Sequence, residues 1–150
     1  MIMDKLLEFS DAQAVTATAI SANVADLYPL GNQTVTNLTR DIGTGEDIYL
    51  VVQPATTMTG AGTLTISLES DDNVGLTSAT VHFQSSAIPV ATLTAGYQAV
   101  KIKLPAGAYE RYLGVRYTIA GGPFTGGTMD AFLVKDQQAY TSYKAGFTIS

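Results

Sequence analysis

Few residues of this chain could carry out chemistry. His82 is the only histidine among 150 residues, and cysteine is absent. A histidine beside a serine and a carboxylate can activate the serine as a nucleophile, usually presented on a Gly-x-Ser-x-Gly turn. The sequence has no such turn. His82 falls in a predicted strand, on the face opposite Val81 and Phe83. The pattern therefore favours a solvated histidine, and we expect no enzymatic activity and no catalytic residue.

Oxygen ligands are densest where one predicted strand turns into the next, at Glu69, Asp71, Asp72 and Asn73. Clustered carboxylates are what Ca²⁺ prefers, but the spacing does not match an EF-hand loop. Asp and Asn also form tight turns by bonding to their own backbone. The sequence favours such a turn, and we expect no metal and no cofactor.

The glycine-rich stretch 121–127 could be taken for a phosphate-binding loop. It lacks the Lys-Ser/Thr ending, and no helix is predicted after it. We interpret it as a wide β-turn with Phe124 at its tip, an exposed aromatic that could anchor another chain. Tyr109 and Tyr112 offer rings on which a sugar could stack, or they fill an edge of the fold.

The elements that must position these residues are predicted to be strands, because apolar and polar residues alternate with a period of two. Residues 111–120 and 128–135 are predicted to pair as a hairpin, and Pro54 to end the strand before a loop at 55–62. In 63–69, we expect Thr65, Ser67 and Glu69 to face water. The remaining predicted strands are 11–20, 33–38, 47–53, 79–84 and 97–104.

About eight strands separated by turns predict an all-β protein, an antiparallel two-sheet sandwich of the jelly-roll or immunoglobulin-like kind. We expect one domain over residues 1–150, with its core at about 12–136. A short N-terminal arm (1–11) and an extended C-terminal tail (137–150) would flank it. The first residues carry acids at positions 4 and 8 and do not fit a signal peptide.

Charge and composition exclude further classes. Hydrophobic residues make up 46% and charged residues 14% of the chain, and the net charge is −5. The charged fraction is well below the usual value of about 25%. An acidic chain disfavours direct nucleic-acid binding, and no window is apolar enough to span a membrane. Residues 1–75 hold ten acids and two bases, so most of the negative charge lies in the first half.

Two segments carry a resemblance to a known family: MDKLLEFSDAQAVT from Met3, and RYLGVRYTIAGGPFTGGTMDAFLV from Arg111. Together they resemble the head cement, or decoration, proteins of short-tailed bacteriophages, which have a jelly-roll fold. The resemblance implies a structural virion protein on the outer capsid surface, made in the host cytoplasm. It would bridge neighbouring major capsid subunits, pair as a homodimer and need no cofactor.

In that role, apolar residues near the termini and at the loop tip are the candidate contacts with the capsid or a second copy. They are Ile2, Met3, Leu6, Leu7, Phe9, Phe124, Tyr140, Tyr143 and Phe147. The alternative function is a carbohydrate-binding or receptor-binding sandwich module. Glycan binding by the isolated domain would distinguish it from a cement protein, which would co-sediment with heads.

Overall fold

Among the residues that the structure describes, the regular elements are strands and two three-residue 3₁₀ turns, Lys5–Leu7 and Val90–Thr92. The computed structural model describes residues 4–27 and 47–135. Within these ranges, no helix has the length and apolar character needed to cross a membrane. The strands are β1 (Glu8–Ala14), β2 (Ala19–Ile20), β3 (Ala25–Asp26), β4 (Tyr49–Gly60), β5 (Thr63–Asp71), β6 (Thr80–Gln84), β7 (Ile88–Pro89), β8 (Val100–Lys103), β9 (Tyr112–Ala120) and β10 (Phe124–Val134).

The strands form two antiparallel sheets that pack against each other. One has the order β1-β10-β4-β8; the other has the order β2-β9-β5-β6, with β3 also pairing with β9 and β7 with β5. β2 and β3 share one side of β9, and β6 and β7 share one side of β5. The ten described strands therefore occupy eight strand positions, four in each sheet. The predicted all-β sandwich is confirmed. Each sheet mixes early and late strands, which is the interleaved order of a jelly roll.

The predicted hairpin between residues 111–120 and 128–135 is wrong, because β9 and β10 lie in different sheets. β10 pairs with β4 as far as Phe124↔Gly60, and β9 pairs with β5 from Thr63↔Ala120. The continuous segments β4–β5 and β9–β10 therefore form one long ribbon. This ribbon bends from one sheet to the other at a corner made of residues 60–63 and 120–124.

Glycine makes this corner possible. Gly62 has φ +98°, and a Cβ there would lie 2.2 Å from the carbonyl oxygen of Ala120. Gly60 has φ +122°, and its Cβ would lie 2.5 Å from the carbonyl oxygen of Pro123. Only a residue without a side chain adopts such φ values and permits such an approach. The Ala61 N–H donates to the Pro123 carbonyl across the bend at 3.1 Å, so pairing continues through it.

The prediction that Pro54 ends its strand is wrong. β4 continues to Gly60, and Pro54 lies opposite Met129 where the register between β4 and β10 shifts. Proline lacks a donor for the ladder and is tolerated at bulges. The predicted loop at 55–62 is therefore mostly strand.

The β1 region also differs from prediction. A single strand at 11–20 is replaced by β1 and β2, because the chain passes from one sheet to the other between them. β1 is itself irregular, with register shifts against β10 and φ +45° at Ala12. β1 begins at Glu8, so residues 8–11 belong to the sandwich rather than to an arm. The predicted strand at 33–38 and the predicted tail at 137–150 lie outside the described residues.

The main core lies between the two sheets. Its side chains come from both, and its largest fully buried members include Tyr117, Phe9, Leu50, Leu64, Ile66, Leu68, Leu113 and Met129. Burial raises the pKa of Tyr117, whose hydroxyl lies 2.9 Å from the Ser10 Oγ. This pair gives the fully buried phenol of Tyr117 a polar partner, as buried hydroxyls require.

Candidate docking surface and polar clusters

The alternation predicts that His82 projects into solvent, but in the structure its side chain is half-buried. In the pairing of β5 with β6, Leu68 opposes Phe83 and Glu69 opposes Val81, so His82 is an extra residue in β6. This bulge breaks the alternation. The His82 Nε2 lies 2.7 Å from the Ser70 Oγ. The centroid of the half-buried His82 ring lies 4.3 Å from the ring centroid of Tyr109.

Ser70, His82 and Glu110 thus form a cluster, but its geometry does not suit nucleophilic catalysis. Ser70 is 0% exposed, and its Oγ already accepts the Glu110 N–H at 3.0 Å. The Glu110 carboxylate lies 3.3 Å from the serine hydroxyl. In a catalytic triad, the acid instead orients the far nitrogen of the histidine ring. The cluster therefore connects β5, β6 and the segment before β9.

Burial lowers the pKa of His82, and the nearby Glu110 carboxylate opposes this shift. The folded protein therefore favours the neutral imidazole. Neutral imidazole satisfies the Ser70–His82 contact in either tautomer: Nε2 accepts the Ser70 hydroxyl hydrogen, or Nε2–H donates to the Ser70 Oγ while that hydroxyl donates to the Glu110 carboxylate.

In the acidic turn after β5, the Asp71 side chain binds backbone N–H groups of the same turn and of the loop that follows. The carboxylate of Asp71 accepts the N–H of Ser78 at 2.8 Å and that of Asn73 at 3.1 Å. These hydrogen bonds, that of Ser78 first, lower the pKa of Asp71. In the part of the chain that the structure describes, no three His, Cys, Asp or Glu side chains form a group suited to a metal ion.

Part of the outer face of the six-stranded sheet is covered rather than solvated. The prediction that Ser67 and Glu69 face water is wrong, because both are buried. Glu69 Oε2 accepts the Arg116 Nε–H at 2.7 Å, and Glu69 Oε1 accepts the Ser67 hydroxyl at 2.6 Å. Arg116 also donates from Nη2 to the Leu76 carbonyl at 2.6 Å. The ion pair therefore holds the loop 72–79 against the sheet.

Leu76 lies over Gly114 on this face. A Cβ at Gly114 would lie 2.8 Å from Leu76 Cδ1 and 3.0 Å from Val24 Cγ1. Leu76 is buried and has φ +48°, so the loop holds it in a conformation that L-residues seldom adopt. Gly114 lies between two buried strand residues, and a glycine in such a place indicates that another part of the chain approaches closely. The sequence analysis did not predict this approach.

The outer face of the four-stranded sheet carries a second apolar group, which we call the outer apolar cluster. It consists of Val51, Phe132 and Val134, with Tyr49 packed against them, and it is separate from the main core. The intervening residues Leu50 and Leu133 belong to the main core. β4 and β10 are therefore apolar on both faces.

The turn Lys5–Leu7 lies beside β10 and presents two apolar side chains to solvent. Leu6 is 80% exposed and Leu7 is 37% exposed. These two residues are the predicted contacts that the structure places on the surface. Whether they touch a partner stays a prediction.

Two other predicted contacts are corrected. Phe9 and Phe124 are both buried in the main core, Phe124 at 3% exposure, so neither is available to a partner. The corner turns Phe124 inward, whereas a simple turn would have left it at a tip. Ile2, Met3, Tyr140, Tyr143 and Phe147 lie outside the described residues.

The tyrosines considered as sugar platforms fill the fold. Tyr109 is buried, and its hydroxyl donates to the Pro105 carbonyl. Tyr112 is half-buried, with the Arg111 guanidinium 4.8 Å from its ring centroid. Tyr109 is therefore not exposed to a sugar, and one face of the Tyr112 ring is occupied by Arg111.

The fold and these surfaces define an all-β sandwich whose polar clusters brace strands and loops. A protein-family model, Bbp16, matches residues 9–133. The chain therefore belongs to the Bbp16 family, whose name is phage-related. No curated protein matches the chain.

Proposed function

We propose that this protein is a structural virion protein that cements the phage head from the outside. It binds neighbouring major capsid subunits, acts as a homodimer, and has no enzymatic activity. The observation that carries this proposal is membership of a phage-related family over residues 9–133. The sandwich fold and the small charged fraction of 14% also suit a protein that works packed against others.

The physical logic concerns the assembled shell. A packed genome pushes the capsid outward, and a protein that binds only across joined subunits stabilises the joined state. Many copies acting together make a modest contact into strong reinforcement. A rigid spacer is needed for this, and the bent ribbon of β4–β5 with β9–β10 supplies one, since it joins both sheets by continuous chain.

The test is to add the purified protein to heads that lack it, and to measure co-sedimentation and resistance to rupture. We expect the protein to sediment with the heads and to restore their resistance. An excess of free glycans should leave the binding unchanged. Failure to sediment with heads, or binding that glycans abolish, would contradict the proposal, and the latter would favour the carbohydrate-binding alternative.

The dimer is tested separately by sedimentation equilibrium of the free protein. A concentration-dependent shift from monomer to dimer is the expected result. If the protein stays monomeric at the highest concentration but still binds heads, the proposed dimer is contradicted and the cement role is not.

A further inference from the structure

Among the residues that the structure describes, Leu6 is the most exposed large hydrophobic side chain, at 80%. Single apolar residues are common on protein surfaces, so exposure alone points to nothing. Val81 shows this, because it is exposed on β6 simply by facing outward from an edge strand. Leu6 differs in what holds it.

Polar contacts fix the position of Leu6. The Asp4 carboxylate accepts the Leu6 N–H at 3.0 Å, and the Asp4 carbonyl accepts the Leu7 N–H at 2.9 Å. Lys5 Nζ lies 3.1 Å from Glu8 Oε2, and Glu8 is buried. The turn is thus closed on itself and fastened to β1.

The strand that follows makes the base of this turn rigid. Phe9 is fully buried in the main core, three residues after Leu6, and Glu8 pairs with Phe132 of β10. An apolar side chain held in one place loses less conformational entropy on binding than one on a mobile segment. The turn therefore presents Leu6 in a form ready for insertion.

Charge around Leu6 indicates the partner's chemistry. Residues 4–11 contain three acids, Asp4, Glu8 and Asp11, and one base, Lys5. Lys5 lies between Glu8 and Asp11, 3.9 Å from the latter, and the Asp11 side chain is largely exposed. A surface that receives Leu6 meets an excess of negative charge, so basic residues around the pocket would complement it.

We infer that Leu6 is an anchor that inserts into an apolar pocket with a basic rim on a partner protein. Under the proposed function, on which this inference rests, that partner is the major capsid subunit. The inference specifies which side chain enters the partner and what the receiving surface looks like.

The experiment measures the affinity of full-length protein for heads lacking it. Leu6→Ser should weaken binding at least about tenfold, because serine cannot supply the apolar area that leucine buries in the pocket. Leu6→Met should retain affinity within about threefold, because it keeps the apolar volume. Val81→Ser is the matched control, another exposed apolar residue, and should bind like the wild type.

Two further measurements examine the presentation and the charge. Asp4→Ala removes the cap together with one of the acids near Leu6, so it should weaken binding about threefold to fivefold. Raising the salt concentration should weaken the wild type progressively, since the charge complementarity is screened.

The outcomes separate the two proposals. Wild-type binding that Leu6→Ser leaves intact overturns the anchor and leaves the cement role standing. Equal loss in Leu6→Ser and Val81→Ser also overturns the anchor, because the effect would not be specific to the turn. Absence of wild-type binding overturns the proposed function and the capsid pocket together.

Discussion

Part of the outer face of each sheet is shielded from water, but different chemistry shields the two faces. On the four-stranded sheet, Val51, Phe132 and Val134 form an apolar cluster with Tyr49 packed against it. On the six-stranded sheet, Glu69 and Arg116 form an ion pair under the loop 72–79. One face relies on removing apolar area from water; the other relies on satisfied charges.

This difference has energetic consequences. Apolar burial stabilises in proportion to area and, unlike an interaction between charges, is not weakened by electrostatic screening. A buried ion pair contributes little beyond its own desolvation, yet losing one partner is expensive, because the other charge stays buried alone. The polar face is therefore more sensitive to single substitutions than its net contribution to stability suggests.

The largest expected effect is on the apolar face. Phe132→Ala should lower the free energy of unfolding by about 3 kcal/mol, because it removes a buried ring and leaves a cavity. Urea unfolding at low and high salt measures this, and the loss should be equal in both. The control Val81→Ala should change stability by less than about 0.5 kcal/mol. A loss of unfolding free energy that differs between low and high salt would contradict the view that apolar burial stabilises this face.

Next in size is the ion pair. Arg116→Met keeps the apolar stem but leaves the buried Glu69 without its cation, so we expect a loss of about 2–3 kcal/mol. The control is Lys103→Met, whose Nζ lies 2.6 Å from Asp47 with both side chains about half-exposed. An exposed pair is screened by solvent, so its loss should destabilise the protein much less than the loss of Arg116. Similar losses in both variants would mean that the Arg116 pair is effectively solvated.

Gly114→Ala should cost about 1–2 kcal/mol, because the new methyl group meets Leu76 and Val24 and lifts the loop. A double-mutant cycle with Leu76→Ala checks the cause. Since Leu76→Ala makes room for the methyl group, the combined loss should be smaller than the sum of the single losses. Strict additivity would show that the two residues do not interact.

The smallest expected effect is pH dependence from His82. Its folded-state pKa is lowered by burial from an ordinary value of 6.5. The unfolded chain therefore binds the proton first, and the stability contributed by neutral His82 is lost as the pH falls below about 6.5. Denaturant midpoints across this range measure the loss. His82→Gln should flatten that part of the profile, and an unchanged profile would refute the linkage.

Local periodicity in the sequence is enough to predict the all-β sandwich and several of its strands. Alternation with a period of two belongs to a short segment, and it places Leu64, Ile66 and Leu68 in the core without reference to any other strand. The prediction for the Asp71 turn was also local, since Asp71 bonds to the backbone of Asn73 two residues away. The wide turn predicted at 121–127 is right only for its first residues, because β10 already begins at Phe124.

Pairing between distant segments is what the sequence could not supply. Glu69 is polar by type, and it is buried because Arg116 and the loop carrying Leu76 come from elsewhere in the chain. Phe124 lies in the core because β9 and β10 join different sheets, and His82 meets Ser70 because of a bulge in the ladder. Each outcome depends on which strands become neighbours, and in an antiparallel sandwich that choice is made by contacts spread over the whole chain.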